Sequence, residues 1–217
     1  MKGIGAVNTT ILELLASRIC HDLISPVGAI HNGIEFMEEM GEAGNCKEAL
    51  SLIMHSAGQA SARLQMFRLV YGLGGRDSHI KPEDAHKAFG NMIAADGRVT
   101  QEWDPHAELG FGEALPEGYA KILAGTLMLA AECLPKGGVV MVSGDSQSAA
   151  TRVIARGTNA APREYAEEAL IHLLPVSDVD PRLVHPYVMG LLCKEYGFSL
   201  VIEQNASDQV DLLLSRS

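Results

Sequence analysis

The chain has 217 residues, 47% of them apolar and 20% charged, with a net charge of −10. That is an ordinary globular composition, long enough for one large domain or two small ones. The acidic balance gives no electrostatic footprint for nucleic acid or for an anionic membrane surface.

No apolar run reaches the roughly 20 residues that a bilayer span needs; the best candidate, Ile122 to Leu134, contains Glu132. No apolar stretch follows Lys2 as it would in a signal peptide. The expected location is therefore the cytoplasm. Cys20, Cys46, Cys133 and Cys193 are widely spaced and show no C-x-x-C pattern, so reduced thiols are expected rather than a zinc site.

In chain order, the first elements are two long helices. Thr10-Ile-Leu-Glu13 has capping-box spacing and should open a helix that runs to about Met40, stopped by Gly41 and the Gly44-Asn45 turn. A second helix is predicted from Lys47 to Tyr71, ended by Gly72-Leu-Gly-Gly75. The first carries an apolar stripe of Leu12, Leu15, Ile19, Leu23, Pro26, Ile30, Ile34 and Met37. The second carries Leu50, Ile53, Ala57, Ala60, Leu64, Phe67 and Tyr71, alternating threes and fours. Two such helices bury both stripes poorly alone. A symmetric homodimer forming a four-helix bundle solves this; the alternative is a monomer whose helices pack on the rest of the chain.

From Arg76 onward helices and strands mix. Helices are expected at Pro82–Ala95, Leu115–Leu134, Pro162–Leu173 and Leu183–Tyr196. Strands are expected at Arg98–Trp103, Val139–Val142, Thr151–Ala155, Phe198–Glu203 and Gln209–Leu214. The expected class is α+β, with a helical hairpin domain at 1–75 and an α/β sandwich at 76–217. Gly72-Leu-Gly-Gly75 follows a helix and lacks a Lys-Ser/Thr, so it reads as an interdomain hinge and not a phosphate loop.

The informative segment is His21-Asp-Leu-Ile-Ser-Pro26. At roughly 100° per residue, His21 lies about 180° from the apolar stripe of its helix, with Ser25, Gly28, Asn32 and Glu35 on the same face. His21 should therefore stand exposed, with small or polar neighbours that leave a partner room to approach. A solvated surface histidine with no role is the simpler reading, and two features weigh against it. Asp22, directly adjacent, can hold a neutral imidazole in one tautomer and take a proton. Pro26 removes the amide that would pair with the Asp22 carbonyl and should kink the helix. Ser25 can hydrogen-bond phosphoryl oxygens, and Arg18, one turn back, can screen phosphate charge.

The run Ser17-Arg-Ile-Cys-His-Asp-Leu-Ile-Ser-Pro-Val-Gly-Ala-Ile30 resembles the H-box of histidine kinases and of histidine phosphotransferases of the ChpT type. The resemblance extends over the whole chain, the second part looking like a degenerate kinase ATP-binding domain. It implies that His21 accepts the phosphoryl group, with Asp22, Ser25 and Pro26 completing the motif. It further implies transfer between receiver-domain aspartates: from a hybrid kinase of the CckA kind to response regulators of the CtrA and CpdR kinds. The chain would need no cofactor of its own, Mg²⁺ coming from the partner receiver. Arg18, Gly28, Asn32 and Glu35 on the first helix, with Met66, Arg68 and Tyr71 on the second, are the candidate docking positions.

Against the ATP-binding pattern of that resemblance, three things are missing. Thr126 and Ala130 stand where the pattern has metal-binding asparagines, and Ala130 offers no oxygen. Asp145-Ser-Gln-Ser148 lacks the glycines of the adenine-reading turn, and Ala160-Ala-Pro-Arg163 has no glycine pair for a lid. An ATP-dependent histidine kinase is thus the second reading, and a non-catalytic receiver-binding module the third. The remaining histidines (His31, His55, His79, His86, His106, His172, His185) show no metal-ligand spacing.

Overall fold

A computed structural model describes residues 8–40, 46–72, 80–112, 114–145 and 148–217. Helices α1 (Thr9–Met40) and α2 (Lys47–Tyr71) form an antiparallel hairpin. Gly33 lets them approach: a Cβ there would meet Ile53 Cγ1 at 2.7 Å. The cap of α1 is Asn8, whose side-chain oxygen accepts the Thr10 amide at 3.0 Å. The expected Thr10–Glu13 capping box is not the start, because Thr10 already lies inside the helix. Gly41, the Gly44-Asn45 turn and residues 73–75 of the expected hinge lie outside the described residues. Gly72 is described, and its carbonyl accepts the buried Lys121 amine at 2.7 Å.

The rest comprises α3 (Pro82–Ala94), β1 (Val99–Glu102), α4 (Tyr119–Glu132), β2 (Gly138–Asp145), β3 (Ala150–Arg156), α5 (Ala166–Leu170), α6 (Val184–Tyr196), β4 (Phe198–Ala206) and β5 (Gln209–Arg216). The five strands form one sheet in the order β1-β2-β3-β5-β4. β1 and β2 are parallel, with α4 in the connection between them; the other neighbours are antiparallel. Every residue of α4 from Tyr119 to Ala130 is buried, between the sheet and the other helices. An α+β fold with one sheet and one helical layer is what results. Among the described residues no helix is long and apolar enough to cross a membrane.

Two expected helices are shorter than their apolar patterns. α4 starts at Tyr119 and not Leu115, because Gly118 takes φ +76° after a turn at Pro116. A side chain at 118 would also strike the Tyr196 ring, whose Cδ1 would lie 2.3 Å from its Cβ. The helix expected over Pro162–Leu173 contracts to five residues. Left-handed backbone at Tyr165 and His172 closes it at both ends.

The stripe on α2 is broader than its heptad spacing suggests. Leu50 and Leu64 are exposed, whereas Ala62, Met66, Leu69 and Val70 are buried. The reason is a second packing partner: Met66, Phe67, Leu69 and Val70 join one core with α3, α4 and the sheet. Likewise Ile11, Leu14 and Leu15 at the start of α1 pack with Val179, Val184 and Val188 around α6. One half of the hairpin is thus seated on the rest of the molecule. The other half projects from it, with Ile24, Val27, Ile34 and Leu50 uncovered.

Candidate functional site

His21 sits midway along α1 on its outward face, and its side chain is 88% exposed. Its Nδ1 lies 3.2 Å from Asp22 Oδ1, and the Asp22 carboxyl is 34% exposed. A carboxylate only accepts hydrogen bonds, so a neutral imidazole in this pair carries its proton on Nδ1. Nε2 is then left with a free lone pair pointing to solvent. Chemically this is a nucleophilic nitrogen with nothing in front of it and a carboxylate behind it to take up charge as the ring is substituted.

Pro26 is buried against the hairpin interior, and the helix runs through it. Its missing amide leaves the Asp22 carbonyl without its helical donor. Arg63 of α2 fills that role, Nη1 donating to the Asp22 carbonyl. Its Nη2 lies 3.6 Å from Asp96 Oδ1, after the end of α3. Ser25, Asn32 and Glu35 are exposed along the face of His21, with Glu35 3.3 Å from His31 Nε2. Around Gly28 nothing lies within 4 Å of where a Cβ would be, so there is open space beside the helix one turn beyond Ser25.

Three of the expected docking positions are elsewhere. Arg18 is not free at the surface: it is 13% exposed and donates through Nη2 to Glu132 Oε1 at the end of α4. Burial alone would lower the Arg18 pKa, but the Glu132 carboxylate, assisted by Tyr71 and Asp22, outweighs it and raises the pKa. Glu132 has a second cation in Arg163, 3.7 Å away. Arg18 is therefore spoken for and does not screen charge at His21. Met66 is fully buried in the core, because α2 packs on α4 as well as on α1. Tyr71 turns its hydroxyl inward to His185 Nδ1 at 2.7 Å, its ring stacked near Phe67. Burial raises the Tyr71 pKa far above the phenolic range. Arg68 remains exposed in the last turn of α2.

Between His21 and the sheet-bearing part lies a cleft of about 740 Å³. His21, Asp22, Arg63, Asp96, Glu132 and Arg163 are among its lining residues. Arg63, Asp96 and Glu132 carry no motif in the sequence. The one signal for Arg63 is an arginine on the arc of α2 that also holds Ser56, Phe67 and Val70, and that arc is known only once the second packing face is seen.

The two residues expected at the metal-binding asparagine positions are covered. Thr126 and Ala130 are fully buried, and the Thr126 hydroxyl donates to the Ile122 carbonyl at 2.9 Å. On the helix face beside them, Gly125 packs so closely that a Cβ would meet Met189 Sδ at 2.1 Å and Val70 Cγ1 at 3.3 Å. Asp145 and Ser148 flank the β2–β3 hairpin turn, whose residues 146 and 147 lie outside the described residues. The Ala160–Arg163 segment is tied down: the Ala161 amide donates to the Cys133 carbonyl, and Gln204 donates to the Ala160 carbonyl.

A family model described as the histidine phosphotransferase C-terminal domain matches residues 82–208. The chain is 32% identical over 200 residues to the protein phosphotransferase ChpT of Brucella abortus (strain 2308), covering 91% of each. A solved bacterial phosphotransferase superposes with a TM-score of 0.75 at 28% identity, covering 98% of both chains. A histidine kinase domain from a blue-light-activated kinase of Erythrobacter litoralis superposes over 96% of this chain and 93% of its own, with a TM-score of 0.41 and 13% identity.

Proposed function

The chain belongs to the histidine phosphotransferase family, and we propose that His21 is its phosphoryl carrier. The observation that carries this reading is the geometry of one side chain: an 88% exposed imidazole whose Nδ1 faces Asp22 and whose Nε2 is unobstructed. A receiver domain bearing phospho-aspartate docks along the open face of α1, over Ser25, Gly28, Asn32 and Glu35. Arg68 lies in the last turn of α2 as a further contact.

His21 Nε2 attacks phosphorus in line; the N–P bond forms as the bond to the aspartyl oxygen breaks, and the aspartate leaves as carboxylate. Asp22 offsets the positive charge that the ring gains. A second receiver's aspartate reverses the sequence and takes the group away. The chain's contribution is positioning and electrostatics. The magnesium ion that such receivers hold would belong to the partner. The receivers would be those of a hybrid kinase of the CckA kind and of regulators of the CtrA and CpdR kinds.

That the donor is a protein and not ATP is supported by Thr126 and Ala130, which have no exposure to offer a metal or a nucleotide. A homodimer is supported by the uncovered apolar side chains of the projecting half-hairpin, among them Ile24 at 69% exposed, Val27, Ile34 and Leu50. Pairing two hairpins through such residues gives a four-helix bundle.

The test is transfer of labelled phosphate from one phosphorylated receiver to a second. The wild type should carry it through an acid-labile, base-stable intermediate, and His21→Ala should abolish it. Transfer persisting in His21→Ala would remove the assignment. Titration calorimetry with Mg-ATP, run beside it, should show no binding; micromolar affinity would revive the kinase reading.

A further inference from the structure

A proline inside a long helix frees a carbonyl, and in most helices water satisfies it. Here the freed carbonyl belongs to Asp22, the residue whose carboxylate faces His21. The solvent's place is taken by a guanidinium from the other helix, Arg63, which lies mostly under the surface with 22% of its side chain exposed. The other nitrogen of the same guanidinium lies 3.6 Å from Asp96 Oδ1, an ion pair that biases the direction of its plane. A planar guanidinium can serve the carbonyl and the carboxylate at once through two nitrogens, which a lysine cannot do with the same geometry.

We infer that Arg63 is a positioning residue for phosphoryl transfer: by capping the carbonyl that Pro26 leaves unpaired, it fixes Asp22 against His21 Nδ1. The inference rests on the reading of His21 as carrier. The Asp22 backbone sets where its carboxylate lies. The carboxylate sets which imidazole nitrogen keeps its proton. The tautomer sets whether Nε2 has a lone pair for phosphorus. Arg63 touches neither the imidazole nor the incoming group, and it acts only through Asp22. Without it, the Asp22 carbonyl must find water beside Pro26, and the pair at His21 loses its fixed geometry.

A merely structural arginine would lower stability and leave the chemistry of the folded fraction alone, so the test reads two quantities that stability does not move. One is the tautomer of His21, from the ¹⁵N shifts of its imidazole in the full chain. The other is single-turnover transfer from a phosphorylated receiver, separated into the saturating rate and the half-saturating receiver concentration.

Arg63→Met keeps the length and loses the donors. It should lower the saturating rate about tenfold, as the loss of one orienting hydrogen bond does, with the half-saturating concentration unchanged. Its His21 shifts should move from the Nδ1–H pattern toward a tautomer mixture. Pro26→Ala restores a backbone amide at position 26 that can serve the Asp22 carbonyl, so adding Arg63→Met should cost much less in that background. Should methionine prevent folding, Arg63→Gln is judged by the same two readouts.

A folded Arg63 variant with wild-type saturating rate and wild-type imidazole shifts overturns the inference, as does an undiminished effect in the Pro26→Ala background. If His21→Ala abolishes transfer while Arg63→Met leaves it intact, only the Arg63 role falls. Transfer surviving in His21→Ala overturns the carrier and this role together.

Discussion

His185 gives the structure a built-in acid sensitivity whose size can be worked out. The ring is fully buried. Its Nε2 lies 3.0 Å from the Gly125 carbonyl, which only accepts, so Nε2 carries the proton. Nδ1 then accepts from the Tyr71 hydroxyl at 2.7 Å. Both nitrogens are satisfied in the neutral ring, and a second proton would have to enter at Nδ1 against a donor. Burial, the largest cause, lowers the pKa to about 4; Glu132 opposes it, Arg18 adds to it, and the Gly125 carbonyl pulls the other way. The unfolded chain takes up this proton near the ordinary value of 6.5, while the folded chain refuses it until about pH 4.

Stability from this residue is therefore complete above pH 6.5 and is lost as pH falls from there to about 4. The gap corresponds to about 3 kcal/mol. Urea unfolding at pH 7 and pH 4, at one fixed chain concentration, should show the wild type losing about 3 kcal/mol more than His185→Gln over that interval. His185→Gln will be less stable at pH 7, which does not matter, since only the difference in pH dependence is read. Parallel pH profiles for the two proteins would refute the reasoning.

Two further perturbations probe the scaffold around the site. Glu132→Ala leaves Arg18 buried without its carboxylate and should cost about 3–5 kcal/mol in urea unfolding; Arg18→Met combined with Glu132→Met should recover most of it, and additive losses would contradict the pairing. Gly28→Ala meets open space in a helix interior and should stabilise the chain by about 0.5–1 kcal/mol. The added methyl should at the same time weaken receiver binding, measured as a higher half-saturating concentration, if the face of α1 next to His21 is where partners land.

The secondary structure was legible wherever periodicity was strong. α2 occupies the span its spacing predicts, and α1 begins one residue early because Asn8 and not Thr10 supplies the cap. The exposure of His21 followed from its angle to the apolar stripe that faces α2. Met66, a candidate docking position, is instead in the core, because α2 is buried on two sides and a heptad pattern reports only one. The helix at Pro162–Leu173 failed because composition does not reveal that Tyr165 and His172 adopt left-handed backbone; neither is a glycine or an asparagine. Arg18 was misread for a related reason. On a helical wheel it flanks His21, but its length takes the guanidinium under the surface to Glu132, 114 positions along the chain. Contacts of that separation leave no trace in local pattern.

These long-range contacts bear on what the sheet-bearing part contributes. The turn of α1 before His21 is held through Arg18 by Glu132, from the end of α4. The residue after His21 is held through Arg63 by Asp96, after the end of α3. Both anchors come from the part of the chain that carries the sheet, and they grip α1 on either side of one exposed imidazole. The helix face beside Thr126 and Ala130 is filled by Met189 and Val70, so α4 is committed to packing along its length until Glu132 emerges at its end. An exposed histidine on a free hairpin would have its backbone fixed only by its own helix, and Pro26 weakens that helix at this point. Bracing from outside the hairpin compensates the weak turn while leaving the solvent side of His21 open. A phosphoryl carrier needs both, because its ring must be reachable by a second protein and yet oriented when that protein arrives.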